Sequence, residues 1–132
     1  MIRMLFATLA AALVLALPAR AIEIKDVTSP GGINAWLVEA HDIPFVALNI
    51  SFKGGASLDA PGKRGAINLM AATLEEGAGQ MDAQGFAEAA EALAAQFGFD
   101  ADDDTVDVSA RFLSENRDAA VALLREALIT PR

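Results

Sequence analysis

The run Phe45-Val46-Ala47-Leu48-Asn49-Ile50-Ser51-Phe52-Lys53 puts Val46, Leu48, Ile50 and Phe52 on one side and Ala47, Asn49 and Ser51 on the other. A period of two is the signature of a strand with one face buried. Gly54-Gly55 ends it, and Asp59-Ala60-Pro61-Gly62-Lys63-Arg64-Gly65 reads as a loop rich in turn residues. The period then changes. Over residues 66–76, Ile67, Met70, Ala71 and Leu74 recur at helical spacing, and Gly77-Ala78-Gly79 supplies the stop expected after a helix.

Working outward, residues 22–28 alternate Ile22, Ile24 and Val27 with charged side chains. Ser29-Pro30-Gly31-Gly32 then turns into Ile33-Asn34-Ala35-Trp36-Leu37-Val38, giving a hairpin of two short strands. Downstream, residues 82–98 read as a second helix. Its stripe is Phe86, Ala90, Leu93, Ala94 and Phe97, with Glu88, Glu91 and Gln96 left for solvent and Gly98 as the end. Residues 99–101 and 105–113 form an antiparallel pair turning at the aspartates, with Val106, Val108, Ala110 and Phe112 on its apolar side. Ser114 is placed to cap a third helix, residues 116–128, striped by Ala120, Leu123, Leu124, Ala127 and Leu128. The order of strands, two helices, strands and a helix predicts an α+β fold, a largely antiparallel sheet with helices packed on one face. The sequence stops at Pro131-Arg132, just after an apolar helix that such a fold follows with more sheet. Residues 22–132 are therefore expected to be the N-terminal part of a larger domain, apparently truncated.

Of the 132 residues, 54% are hydrophobic, and much of that excess lies in residues 1–21. There Arg3 precedes an uncharged run whose apolar stretch, residues 5–17, is too short for a membrane-spanning helix, which needs about 20 residues. The run ends in Ala19-Arg20-Ala21. This is the layout of a secretory signal peptide, and cleavage near Ala21 would leave an exported chain, periplasmic or secreted, of residues 22–132. Without Arg3 and Arg20 the formal charge of −8 becomes −10, which argues against nucleic acid or an anionic membrane as partner. With no cysteine there is no disulfide, no thiolate zinc site and no lipid-anchored cysteine, so no membrane anchor is expected.

The candidate chemistry is sparse. His41, the single imidazole, sits in Ala40-His41-Asp42-Ile43-Pro44 and reads as an exposed turn residue. Asp100, Asp102 and Asp104 alternate as the first ligands of a calcium loop do, but Thr105 stands where that loop needs Gly and Arg111 where it needs Glu. They read as a solvated hairpin tip. Glu75 and Glu76 are adjacent at a helix end, about 100° apart around its axis, and do not converge on one atom. The glycine pairs at Gly31-Gly32, Gly54-Gly55 and Gly77-Ala78-Gly79 lack phosphate-loop context and read as turns. Ser51, Ser57, Ser109 and Ser114 lack a nucleophile motif.

Gly65-Ala66-Ile67-Asn68-Leu69-Met70-Ala71-Ala72, with Thr73-Leu74-Glu75-Glu76-Gly77 behind it, resembles the first helix of the pitrilysin/insulinase family of zinc peptidases. There a strand ending in a Gly-Ser-like pair leads to Gly-x-Ala-His-x-x-Glu-His, with a glycine nine residues after the first His. Gly77 stands nine residues after Asn68. Asn34-Ala35-Trp36-Leu37-Val38 and the strand at residues 44–53 resemble the family's opening segments, and residues 123–131 its helix ending in an Asn-Pro-like turn. The resemblance spans nearly all of residues 22–132 and implies a peptidase-like half-domain.

Carried over residue by residue, it puts the first zinc ligand at Asn68, the catalytic Glu at Ala71 and the second ligand at Ala72. Active members hold zinc between the two His while the Glu activates the bound water. Asn68, Ala71 and Ala72 offer no such set, and the third ligand, a Glu, would lie beyond residue 132. The resemblance therefore implies no zinc, no catalytic residues and no peptidase activity in the chain by itself. Glu76-Gly77-Ala78-Gly79 resembles the family's inactive branch, whose members pair with an active peptidase subunit and help to form its peptide-binding chamber. That reading implies an active subunit and a peptide as partners, and the charge of −10 favours a neutral or basic peptide. Its rivals are a zinc metalloendopeptidase with ligands outside residues 1–132, and a stand-alone domain holding extended peptides at a sheet edge.

Overall fold

The computed structural model describes residues 22–132, so the leader read at residues 1–21 lies outside the described residues. The chain divides into two units, with the boundary after His41. The first carries the expected hairpin: β1 (Ile24–Thr28) pairs antiparallel with β2 (Asn34–Val38), Ile24 opposite Val38 and Thr28 opposite Asn34. Ser29 closes the turn, its Oγ accepting from Ile33 N–H at 3.0 Å. Lys25 is ion-paired with Glu39, a bond that holds the Glu39 carboxyl below its ordinary range.

The second unit is built on β3 (Phe45–Lys53), β6 (Gln96–Ala101) and β7 (Thr105–Leu113). The strand order is β3-β7-β6, antiparallel throughout, running from Phe45 opposite Leu113 to Lys53 opposite Thr105 on one side of β7. On its other side Gln96 stands opposite Arg111 and Ala101 opposite Val106. Alternation puts Val46, Leu48, Ile50, Phe97, Phe99, Val108, Ala110 and Phe112 on one face. That face packs on Ala120, Leu124 and Leu128 of α3 (Arg117–Ile129). Phe86 of α2 (Ala83–Ala92) joins Leu123 and Ala127 beside it. The remaining helix, α1 (Ala66–Thr73), runs against β6. The predicted α+β class, antiparallel with helices on one face, is the fold observed. Among the described residues no helix is long and apolar enough to cross a membrane.

Five local readings change. The second helix stops at Ala92 instead of Gly98, and Phe97 lies in β6. Ala94 takes φ 48°, Ala95 N–H bonds to Ala90 carbonyl at 2.9 Å and Ala94 N–H to Glu91 carbonyl at 2.9 Å. This is the left-handed ending usually marked by glycine. Since Ala94 carries no such mark, the stripe read on through it. Phe97 nonetheless reaches Phe86, ring centroids 5.9 Å apart. β6 is correspondingly longer than the predicted residues 99–101.

The other differences are at helix ends. Ser114 is not a cap: residues Ser114–Asn116 form a 3-10 turn, and α3 begins at Arg117 without a side-chain cap. Asn116 instead donates from Nδ2 to the Leu93 carbonyl at 2.8 Å, tying the start of α3 to the end of α2. α1 ends at Thr73, whose hydroxyl bonds back to the Leu69 and Met70 carbonyls, and not at Glu76. Gly77-Ala78-Gly79 is more than a stop. β4 (Gly77–Ala78) pairs with β5 (Met81–Asp82), and Ala78 bridges to Pro131. Gly79 N–H donates to Thr130 carbonyl at 2.8 Å and Arg132 N–H to Gly77 carbonyl at 3.1 Å. Gly77 sits at φ 134°, and a Cβ there would come 2.7 Å from the Met81 carbonyl oxygen.

A left-handed alanine costs about 1–2 kcal/mol relative to glycine's freedom, offset in part by glycine's larger unfolded-state entropy. Ala94→Gly should therefore leave the fold intact and raise stability by up to about 1 kcal/mol, read as a rise in denaturation midpoint without a change in slope.

Candidate functional site

The helix singled out by sequence is held from outside its own span. The Asp59 carboxylate accepts from Gly65 N–H at 2.6 Å and from Ile67 N–H at 3.2 Å, satisfying first-turn amides that a helix leaves unbonded. Ala71 and Leu74, 2% and 7% exposed, turn inward. Asn68 and Ala72 are exposed and four residues apart, hence one turn apart on one face. Asn68 lines an open cleft of about 540 Å³ together with Ala56, Ala101, Asp102, Asp103, Asp104 and Thr105.

One wall of that cleft is a backbone contact that sequence reading missed. Gly54 N–H donates to the Asp104 carbonyl at 2.7 Å, Ala56 N–H to Asp102 at 2.8 Å and Ser57 N–H to Asp103 at 2.9 Å. The 3-10 turn Ala56–Leu58 is thereby docked on the β6–β7 turn. Gly55 is buried in the contact, and a Cβ there would lie 2.1 Å from the Asp102 carbonyl oxygen. The aspartate run is thus a hairpin tip with exposed side chains, as read, but its carbonyls anchor the chain leading to α1. The only available signal was the glycine pair directly after a strand.

Other sequence candidates stay apart. His41 is exposed at the end of the hairpin unit. Glu75 and Glu76 are exposed in the turn after α1. Asp100 lies within β6. Ser57 approaches Asp104 only at 3.5 Å, while Ser109 is exposed on the open sheet face. On that face Ser51 donates to Asp107 Oδ1 and Thr105 donates to Oδ2 at 2.8 Å, bonds that hold the Asp107 carboxyl below its usual value. Among the described residues no three His, Cys, Asp or Glu side chains are gathered so as to hold a metal ion.

Two outcomes test this geometry. Gly55→Ala should separate the turn from the β6–β7 tip and cost about 1–3 kcal/mol, visible as a lower denaturation midpoint. The lowered Asp107 value contributes stability that is complete above the ordinary aspartate range and is lost as pH falls through the lowered folded value. Ser51→Ala should move the Asp107 titration upward in a carboxylate NMR experiment, and Asn49→Ala should leave it in place.

No family model matches the chain. It is 32% identical over 93 residues to the non-peptidase homolog YmxG of Helicobacter pylori, an alignment covering 70% of this chain and 22% of that protein. The crystal structure of a peptidase M16 inactive domain from Pseudomonas fluorescens superposes with a TM-score of 0.76 at 30% identity, covering 83% of this chain and 27% of that one. A protease from Helicobacter pylori shares the fold, with a TM-score of 0.69 at 14% identity over 85% of this chain and 27% of that one. The chain thus spans about a quarter of the length of the relatives it matches. On the similarities to that homolog and to the inactive domain, the chain belongs to the pitrilysin/insulinase (M16) peptidase family, in its non-peptidase-like form.

Proposed function

We propose that this chain is part of an exported, non-catalytic peptidase-like subunit that pairs with an active zinc peptidase of its own family and adds surface to that enzyme's peptide-binding chamber. The observation that carries the reading is α1. Its Asn68, Ala71 and Ala72 stand where the family resemblance calls for His, Glu and His. An amide and two methyl groups do not fit zinc, which takes imidazole, carboxylate or thiolate donors, so no hydrolytic step is routed through this helix. The likeness to a non-peptidase homolog and to an inactive domain supports the same reading. Export rests on the apolar leader of residues 1–21.

What remains without a metal is peptide holding. Among the described residues β6 is an edge strand of its sheet and has α1 beside it. An extended peptide can add to such an edge through backbone hydrogen bonds alone. The same edge favours the second reading, a peptide-binding domain that acts without a catalytic partner.

Zinc content and peptide hydrolysis, measured on residues 22–132 alone and then with an active family member encoded beside it, separate these readings. No zinc and no turnover alone, with hydrolysis rising on mixing, is the expected result. Peptide binding without any effect on the partner would favour the second reading. One zinc per chain with turnover alone would favour a metallopeptidase and overturn both. Ala72→His by itself should restore neither zinc nor activity.

A further inference from the structure

We infer that two copies of this chain associate through α1, the two helices packed antiparallel about a twofold axis with Leu69 and Met70 at the centre. The inference begins with what α1 leaves uncovered. Ala71 and Leu74 turn into the fold, while on the opposite side Ala66, Leu69, Ala72 and Thr73 are exposed, with Met70 at their border. Leu69 is 67% and Met70 45% exposed, and Leu58, on the 3-10 turn packed beside α1, is 70% exposed. The Thr73 hydroxyl is occupied by the Leu69 and Met70 carbonyls, so it brings no unmet polar group to this side. No residue of α1 is charged. Contiguous apolar surface of this kind marks a contact with another molecule.

The charges at the two ends of α1 say what that molecule is. A helix dipole favours anions at the first turn and cations at the last. Asp59 meets the first demand, yet Lys63-Arg64 stand just before the helix and Glu75-Glu76 just after it, all four exposed and, among the described residues, none in an ion pair. Each pair therefore sits at the end where the dipole repels it. A second α1 laid antiparallel supplies the opposite charge to both. Lys63 and Arg64 precede Leu69 by six and five residues, and Glu76 and Glu75 follow Met70 by six and five. With Leu69 of one copy beside Met70 of the other, Lys63-Arg64 of each copy comes opposite Glu75-Glu76 of the other, and Ala66 opposite Thr73. An unrelated partner would have to carry the inverse layout of charge, whereas a second copy carries it by symmetry. An eight-residue helix is only about 12 Å long, so the contact belongs with the small, weak interfaces.

Sedimentation equilibrium of the chain of residues 22–132 tests this. The expected result is a shift from one to two chains per particle, half complete at about 0.1 mM. Leu69→Asn should abolish the shift while leaving the denaturation midpoint in place, since the single chain exposes that side chain. Lys63→Glu with Arg64→Glu in one variant, and Glu75→Lys with Glu76→Lys in a second, each set like charges against like, and each should weaken association at least about tenfold. Mixed one to one, these two variants meet with opposite charges at both ends, and the mixture should associate at least as strongly as the parent, a rescue that misfolded chains would not give. A parent that remains single at about 1 mM overturns the second copy. If the parent remains single while an active family member broadens the NMR signals of Leu69, the face belongs to that enzyme and the inference is equally overturned. Association that survives Leu69→Asn moves the contact away from α1, and a mixture that stays dissociated removes the charge pairing.

Discussion

β7 is hydrogen-bonded on both sides, to β3 along its whole length and to β6 along most of it. Its apolar face bears Val108 and Phe112, the most deeply buried large side chains among the described residues. The positions of α3 and α2 follow from that. α3 leaves β7 through a single 3-10 turn and folds back so that Ala120 and Leu124 close on Ala110 and Phe112. The small alanines at Ala110 and Ala120 let helix and sheet approach, and the larger Leu124 and Phe112 fill the space beside them, the interdigitation that gives interiors their density. α2 is then fixed through Phe86 against Leu123 and Ala127, and through the Asn116 bond to Leu93.

Much of this was legible because burial in a two-layer fold imposes periods on the chain. The alternation at residues 45–53 and 105–113 identified β3 and β7, and the stripe of Leu123, Leu124 and Ala127 identified α3. Periodicity says which face is buried but not which neighbour a strand takes. The order β3-β7-β6 depends on side-chain fit over long sequence separations. Helix ends were less legible because their marks are chemical. Ala94 holds a glycine's conformation without being glycine, and Asn116 spends its amide on a distant carbonyl instead of its own helix.

The α1 region divides in the same way. That the helix carries an amide and two methyl groups at Asn68, Ala71 and Ala72 is written in the residues themselves. That Asp59 holds the helix start, and that the carbonyls of residues 102–104 hold the turn before it, is written nowhere in local pattern. Main-chain groups carry no residue code, so a contact made by them shows only through glycines such as Gly55 that leave them room. Asp59 reads as one more polar loop residue until its bonds to Gly65 and Ile67 are seen.

Among the described residues β3 pairs with β7 alone, and its Ser51 meets Asp107, 56 residues further along. On a ribosome, β3 therefore emerges long before its partner exists, with Val46, Leu48 and Ile50 uncovered and both edges free. A strand waiting in that state is a natural target for a chaperone and a hazard for self-association.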